Sequence, residues 1–372
     1  MDEWDELLQA SASNCIFLTW EWLYTWWKHL AGDKALYIIT ARSGRELVAI
    51  APFALRRQAG PLPVRSLEFL GAGSVGSDYL DVIVRRGKER EAARALAEYL
   101  TREGLVLEMT RVRQNSPAAE LAAELKREGW SFSETRTDLC PFINLSGHSW
   151  ESYLATLGPE HRYNFRRRLR NAAKRFDLRF EQACSVSQRR NALAALVALH
   201  HLRWRARGGS VGFHTPALLA FHEELSQRAL DRDWLRLFVL SLDGEPAASV
   251  YGFRYHQAFY FYQAGFDPRF SKHSVGLVAM GLAIKSAIEE GADEYDLLHG
   301  DEPYKFHWTK EARELVRLEV YPPGVGAWLY QRARGMGRAA SRMARRLLPT
   351  RVGDRIASVR RIGLPGERPG AS

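Results

Sequence analysis

The chain of 372 residues has few cysteines and no long hydrophobic run. Its three cysteines, Cys15, Cys140 and Cys184, are widely spaced and odd in number, so they form neither a disulfide framework nor a zinc site. We expect buried structural thiols in a reducing compartment. No stretch reaches the roughly 18 to 20 apolar residues that span a bilayer. Residues 1–6 are acidic where a secretory signal is basic, so a cytoplasmic protein is expected.

Acidic residues are scarce in one part of the chain. The whole sequence has 53 Lys and Arg against 43 Asp and Glu, a net charge of +10. Residues 331–372 contain eleven arginines but only Asp354 and Glu367, which accounts for nearly all of this excess. The pattern is typical of a near-neutral globule with a basic tail. Because no helix-turn-helix is evident either, we expect no sequence-specific DNA binding.

Strand and helix patterns alternate along the chain, which predicts an α/β protein with an open mixed sheet. Helices are predicted at 19–30, 89–102, 117–128, 160–175, 188–207, 216–231 and 275–290; strands are predicted at 36–40, 46–55, 66–70, 79–84, 105–110, 131–145, 234–242, 247–254, 258–264 and 295–298. The second half repeats the outline of the first. We therefore expect an N-terminal domain at 1–145, a C-terminal domain at 146–325 and a basic tail at 326–372.

A turn rich in small residues leads from a strand into the helix predicted at 275–290. Such a turn exposes backbone N–H groups at the positive end of the helix dipole, a site that suits a pyrophosphate. Lys272 and His273 add positive charge there. Ser274 and Gly276 would equally serve as an ordinary helix cap, so spacing alone leaves both interpretations open.

Polar residues crowd behind the last predicted strand, where α/β sheets tend to place ligands. Asp301 or Glu302 is a candidate general base, with His299 as a competitor. Tyr304 is a candidate proton donor, and Lys305 would hold an acidic acceptor or a developing oxyanion. The alternative is structural: Asp301 caps a turn, and Lys305 pairs with Glu302 on the surface. A metal site is disfavoured, because neither the spacing nor the expected chemistry requires one.

Residues 160–176 form a basic helix with no acidic residue after Glu160. One interpretation is a basic surface for a phosphate-rich ligand, such as the 3′-phosphate of CoA, an acyl-carrier protein, tRNA or a nucleotide sugar. The other is a solvated helix face. Binding of tRNA would fall steeply with salt, whereas binding of a small acyl-CoA would not.

Several motifs together resemble a known family. An aromatic strand leads to Gly-Phe-Asp-Pro at 265–268, then Ser-x-Gly at 274–276 and Asp-x-x-x-Gly-Asp-x-x-Tyr-Lys at 296–305. An arginine-rich helix precedes them, and 49–52 and 77–79 resemble the N-terminal repeat of the same family. The chain thus resembles the CelD and FemAB-related branch of the GNAT-superfamily acyltransferases, strongly in its last third.

The resemblance implies two GNAT-like (acyl-CoA N-acyltransferase) domains in tandem, a FemAB-like architecture with acetyl-CoA or another acyl-CoA as co-substrate and no metal. The implied catalytic residues are His299, Asp301, Glu302, Tyr304 and Lys305. The implied CoA-binding residues are Ser271, Lys272, His273, Ser274, Val275 and Gly276. The implied substrate-binding residues are Arg162, Asn164, Arg166, Tyr262 and Asp267.

The expected function is transfer of an acyl group from acyl-CoA to an amine or hydroxyl of a sugar, polysaccharide or envelope precursor, by direct attack. The acceptor is expected to be a small molecule or a glycan. One alternative is a Fem-type transferase that uses aminoacyl-tRNA; another is an inert GNAT-fold scaffold in polysaccharide or envelope assembly. The first part of the tail is expected to be helical, and a helix at 324–348 would carry a thin apolar stripe among arginines, which suggests peripheral contact with the inner face of a membrane. A disordered tail beyond residue 348 is expected from Pro349, Pro365 and Pro369.

Overall fold

The computed structural model describes residues 2–58, 64–205 and 212–347, with the side chains of 58, 205 and 337–347 left undescribed. Its strands are β1 Ala35–Ser43, β2 Glu46–Gln58, β3 Val64–Phe69, β4 Ile83–Val84, β5 Val106–Arg113, β6 Ser131–Asn144, β7 Leu178–Gln182, β8 Leu235–Leu242, β9 Glu245–Tyr255, β10 Ala258–Phe266, β11 Glu294–Asp296 and β12 Ala312–Tyr321. Its α-helices are α1 Asp2–Gln9, α2 Trp20–Leu30, α3 Glu89–Glu103, α4 Pro117–Arg127, α5 Trp150–Thr156, α6 Pro159–Arg175, α7 Val186–Arg205, α8 Pro216–Asp231, α9 Val275–Glu289 and α10 Val325–Leu347.

Helix starts follow local capping chemistry. The Thr19 hydroxyl accepts a hydrogen bond from the Trp22 amide at the start of α2. The helices α4 and α8 each begin with a proline behind a capping hydroxyl residue, Ser116 and Thr215 respectively. These are the favoured residues at the cap and first helical position, which is why the sequence predicted the three helices closely.

The strands form one mixed sheet with the order β1-β2-β3-β5-β12-β6-β11-β10-β9-β8-β7, and β4 pairs with β2. The long strand β6 joins the two halves, because its residues 131–141 pair with β12 and its residues 142–144 pair with β11. The last strand, β12, returns to the middle of the sheet between β5 and β6. Strand β12 was not predicted; its charged residues are interspersed with apolar ones without a regular alternation.

The aromatic residues of α2 pack into the core, as predicted. Trp22 and Trp26 are buried, and Trp22 meets Phe17 edge to face with ring centroids 4.7 Å apart. The expectation of buried thiols holds for Cys15 and Cys140 and is wrong for the third cysteine, which is exposed. Within the described ranges, no helix is long and apolar enough to cross a membrane. The predicted disorder beyond residue 348 lies outside the described residues.

The neighbouring strands β10 and β11, in the second half of the chain, pair over only part of the length of β10. Their parallel pairing covers only Ala258 to Tyr260 on β10, because β11 ends at Asp296. Strand β10 continues to Phe266 and is followed by a 3₁₀ turn, Pro268–His273, and then by α9. A gap therefore opens beside the second half of β10, under the start of α9.

Candidate functional site

A cavity of about 660 Å³ lies between the two halves of the chain, and we call it the central cavity. Its first-half lining comes from β2, β3, β5, β6 and the glycine-rich loop before β4. Its second-half lining comes from α7, the segment before α8, β10, the segment after β11, β12 and α10. Residues from both halves thus meet around one space, including Arg111, Thr137, Arg203, Tyr262, His299 and Tyr304. Clefts between packed units are a common place for ligand sites.

The pair Asp78 and His299 joins the halves at this cavity. The Asp78 side chain is fully buried, and its Oδ2 accepts hydrogen bonds from the backbone N–H of His299 at 2.9 Å and from ring Nδ1 at 2.9 Å. With Nδ1 engaged by the carboxylate, Nε2 lies on the opposite edge of an imidazole that lines the cavity. A carboxylate that fixes the tautomer in this way prepares Nε2 to accept a proton.

The charge of Asp78 is maintained by its surroundings. Burial alone would raise the pKa of this carboxyl, but the His299 side chain and the Arg111 guanidinium hold the pKa well below its usual range. Arg111 donates to Asp78 Oδ1 at 2.6 Å. Asp78 is therefore an anion at neutral pH, positioned to stabilise a proton on His299.

A second buried link lies beside the first. The Tyr79 hydroxyl donates to Asp296 Oδ2 at 2.6 Å, and the Arg113 guanidinium stacks 4.2 Å from the Tyr79 ring centroid. Burial comes first among the causes that raise the pKa of Asp296 to about 6. Asp296 Oδ1 accepts from the Leu298 amide at 2.8 Å, just before His299.

Backbone strain is concentrated at these residues. Tyr79, Arg111 and Leu298 have positive φ angles of 57°, 59° and 56°, a region that costs non-glycine residues energy. This explains two corrections. The strand predicted at 79–84 is shorter and consists of β4, Ile83–Val84, because Tyr79 turns the chain toward the site. The strand predicted at 295–298 ends at Asp296, because Leu298 does the same.

The buried Lys305 holds the segment that carries His299. Its Nζ donates to the carbonyl oxygens of Leu298 at 3.2 Å and His299 at 2.7 Å, and it pairs with Glu302 at 3.0 Å. The predicted pair of Lys305 with Glu302 is present, but Lys305 is buried and not on the surface. Its ammonium is occupied by protein acceptors, so its geometry suits positioning of this segment more than contact with an acceptor.

A second cavity, of about 240 Å³, lies in the gap beside β10, and we call it the lateral cavity. Gly276 and Leu277 at the start of α9 line it, together with Phe266 and Met280. The cap residue of α9, Ser274, has φ 55° and makes no side-chain cap, so the first amides of the helix lack that partner. These amides suit an anionic group at the helix start.

Tyr304 lines both cavities. Burial is the main cause that raises the pKa of its hydroxyl to about 12, so the hydroxyl remains protonated at neutral pH. The Arg203 guanidinium also lines both cavities and lies 5.9 Å from the Tyr304 ring centroid. The two cavities therefore adjoin at residues that include Arg203 and Tyr304.

Other predicted residues lie elsewhere. Asp301 is exposed and does not line either cavity; Glu302 lines the central cavity. Tyr262 lies at a bulge of β10, lines the central cavity and donates to the Val75 carbonyl. Asp267 caps the 3₁₀ turn by accepting from the Arg269 amide at 2.8 Å, which is a structural contact.

The predicted substrate-binding residues of α6 line neither cavity. Arg162 donates to the Ala155 carbonyl, Asn164 accepts from Arg167, and Arg166 pairs with Glu151. The helix still touches the predicted CoA site: Arg168 donates to the Lys272 carbonyl at 2.6 Å. Of the predicted CoA-binding residues, Gly276 lines the lateral cavity, Val275 is buried, and Ser271, Lys272 and His273 form the 3₁₀ turn before α9.

Asp78, Arg111 and Arg203 were not predicted from the sequence as site residues. The only sequence signal for Asp78 was its place within residues 77–79, which resemble the N-terminal repeat. Among the described residues, no group of three or more His, Cys, Asp or Glu side chains comes together to hold a metal ion.

Comparison with known protein families finds a match to part of the chain. Residues 159–306 match the family model described as acetyltransferase (GNAT) domain. This segment is therefore similar to a GNAT acetyltransferase domain. It contains α9, the lateral cavity lining from β10 and the segment with His299 and Tyr304, and GNAT domains use acyl-CoA as co-substrate. No curated protein matches the chain.

Solved structures share the fold. The match to FemX spans 89% of this chain and 97% of the FemX chain, with 14% sequence identity and a TM-score of 0.64. The match to the C-terminal domain of a putative lysylphosphatidylglycerol synthetase from Agrobacterium fabrum spans 90% of this chain and 94% of that domain's chain. Its sequence identity is 11% and its TM-score is 0.53. L-PGS from Bacillus licheniformis covers 82% and 92%, with 12% identity and a TM-score of 0.50. The predicted α/β fold class with tandem GNAT-like architecture is confirmed. The assignment to the CelD and FemAB-related branch and the domain bounds stay predictions.

Proposed function

We propose that the protein transfers an acyl group from an acyl-CoA to an amine or hydroxyl of an acceptor bound in the central cavity. The observation that carries this proposal is the Asp78–His299 pair, which faces a cavity that adjoins the lateral cavity of a GNAT domain. Of the three candidates for the general base, His299, Asp301 and Glu302, we therefore choose His299.

The chemistry is direct attack. The acceptor nitrogen or oxygen attacks the thioester carbon, its proton passes to His299 Nε2, and the carbon–sulfur bond breaks. The leaving thiolate takes a proton from the Tyr304 hydroxyl. Asp78 stabilises the imidazolium that forms, while Lys305 keeps the carbonyl groups of the His299 segment in place.

We assign the acyl-CoA donor to the lateral cavity. A pyrophosphate would accept from the first amides of α9, and the thioester would extend along the unpaired side of β10 toward Tyr304. An ideal Cβ at Gly276 would meet only Phe266, at 3.5 Å, so the helix start is open on this side. The proposed location of the enzyme is the cytoplasm.

The acceptor carries an anionic group in this proposal. Arg317 lines the central cavity, and its buried Nε lacks a hydrogen-bond partner among the described residues. The neighbouring strand β5 bulges opposite it, where Thr110 and Arg111 face Arg317. A screen of amino sugars with and without phosphate, followed by thiol release from acetyl-CoA, tests this: phosphorylated acceptors should react faster, and equal rates would contradict it.

Binding of the donor is tested by the melting temperature of the full chain with acetyl-CoA. Saturating ligand at about 100 times its Kd stabilises a protein by about 2.7 kcal/mol, a shift of several degrees. Gly276→Glu should abolish the shift by placing a carboxylate at the helix start. The matched control, Gly276→Ala, should retain it, because the added methyl makes an ordinary contact. No shift in the folded wild-type protein would contradict donor binding.

A second candidate donor is an aminoacyl-tRNA. The observation in its favour is α6, where Arg170, Lys174 and Arg175 are exposed and the helix contacts the turn before α9 through Arg168. RNA binding that falls steeply with salt, together with no response to CoA, would support this donor. An inert scaffold remains the third possibility, and it predicts that substitution of His299 leaves cellular function intact.

A further inference from the structure

The first turns of α10 have two opposite faces. The inward face carries Ala327, Tyr330 and Arg334, three residues spaced by three and four positions. Tyr330 is buried, and its hydroxyl donates to Glu108 Oε1 at 2.9 Å; Arg334 donates to the same oxygen at 2.5 Å. These contacts fix the rotation of the helix against the sheet.

The outward face is apolar and exposed. Val325, Trp328 and Met336 are 74%, 52% and 69% exposed, and Leu329 is 37% exposed. They recur at the spacing of one helix face, on the side of the helix opposite Tyr330 and Arg334. Exposed side chains of this size in one stripe are unusual on a water-facing helix and mark an interaction surface.

Positive charge accompanies this face. Arg332 lies within the apolar stripe, and its guanidinium is 5.3 Å from the Trp328 ring centroid. The sequence from residue 332 onward adds ten further arginines against two acidic residues. An apolar stripe with tryptophan and flanking arginines is the composition of helices that lie in the interface of an anionic bilayer.

We propose that the outward face of α10, formed by Val325, Trp328, Leu329, Arg332 and Met336, docks on an anionic phospholipid membrane. The stripe enters the headgroup region while the arginines contact lipid phosphates. Arg334, on the opposite face, lines the central cavity. The membrane-bound helix would therefore form one wall of that cavity, which places the acceptor site close to the bilayer surface.

The test is co-sedimentation of the full chain with phosphatidylcholine vesicles, with and without phosphatidylglycerol. We expect binding only when phosphatidylglycerol is present, and weaker binding at high salt. Arg332→Gln should lower the partition coefficient about fivefold. Trp328→Ser combined with Met336→Ser should lower it at least about tenfold.

Matched controls remove similar side chains elsewhere. Tyr163 on α6 is 60% exposed, and Arg94 on α3 has a side chain that is 77% exposed. Tyr163→Ser and Arg94→Gln should bind vesicles as the wild type does. The proposal is overturned if the outward-face variants bind normally, if zwitterionic vesicles bind equally well, or if Trp328→Ser instead dissociates a dimer in vesicle-free solution.

The vesicle-binding test can fail or succeed independently of the test for acetyl-CoA binding. The Trp328→Ser and Met336→Ser variant should keep the full melting-temperature shift with acetyl-CoA, since neither residue lines the lateral cavity. Loss of vesicle binding with the shift retained supports the docking surface. Loss of the shift in the same variant would show that the outward face is needed for the fold and would overturn the assignment.

Discussion

Replacement of His299 by glutamine removes the proposed base while keeping a polar side chain of similar length. The amide can still donate to Asp78, so the buried carboxylate retains a partner and the fold should persist. Glutamine does not take up a proton at neutral pH, so the step that needs Nε2 is lost. The variant therefore separates proton transfer from packing.

The magnitude follows from general base catalysis, which contributes about 10²- to 10⁴-fold to a rate. We expect His299→Gln to lower kcat by a factor in this range and to leave the Kd for acetyl-CoA unchanged, because His299 does not line the lateral cavity. Asp78→Asn should also lower kcat. It should in addition destabilise the fold by about 3 kcal/mol, since Arg111 loses its buried counter-charge.

The assay is thiol release from acetyl-CoA with the acceptor that reacts fastest in the screen. Imidazole ¹⁵N spectra give a second readout that needs no acceptor: the His299 signal, assigned by its absence from His299→Gln, should report a proton on Nδ1 in the neutral ring. Asp78→Asn should change that pattern. A rate for His299→Gln within threefold of the wild type would refute the assignment of the base.

Three further predictions concern neighbouring groups. Tyr304→Phe keeps the ring and removes the hydroxyl, so thiol release should slow by about 10²-fold with unchanged acetyl-CoA affinity; an unchanged rate would exclude it as the acid. Lys305→Met should reduce the free energy of unfolding in urea by about 3 kcal/mol, since the Leu298 and His299 carbonyl groups lose a charged donor, and a neutral effect would contradict its positioning role. Burial raises the pKa of Asp81 to about 6, so the folded state binds a proton that the unfolded state has lost; stability from this group is present below pH about 4 and is lost as pH rises to about 6. Asp81→Asn should flatten that pH dependence, and an unchanged slope would count against the shift.

The fold was largely predictable because its signals are local. Capping residues such as Thr19 and Thr215, and turn pairs such as Asp243-Gly244, report the start and end of elements from a few neighbouring residues. Strand β12 was missed because its identity comes from pairing with β5 and β6, which are distant in sequence. Its charged residues lie in different surroundings: Arg317 lines the central cavity, whereas Arg313 pairs with Glu294.

The site was predictable on one side only. His299 and Tyr304 follow a strand and belong to a recognisable motif, so both were predictable as site residues. Asp78 lies 221 positions away from His299, and nothing in its local sequence indicates a partner. Lys305 was predicted to contact an acceptor or an oxyanion, whereas its ammonium group binds backbone carbonyl groups. Its burial depends on the turn of the chain at Leu298, which has a positive φ angle, and this turn was not predicted.

A crystal structure with acetyl-CoA tests the central claim most directly. The account predicts that the pyrophosphate contacts the first amides of α9 near Gly276 and that the thioester reaches Tyr304, where the lateral and central cavities adjoin. His299 Nε2 should then face the acceptor side of the thioester. Acetyl-CoA bound elsewhere on the chain, or with its thioester pointing away from the central cavity, would contradict the account.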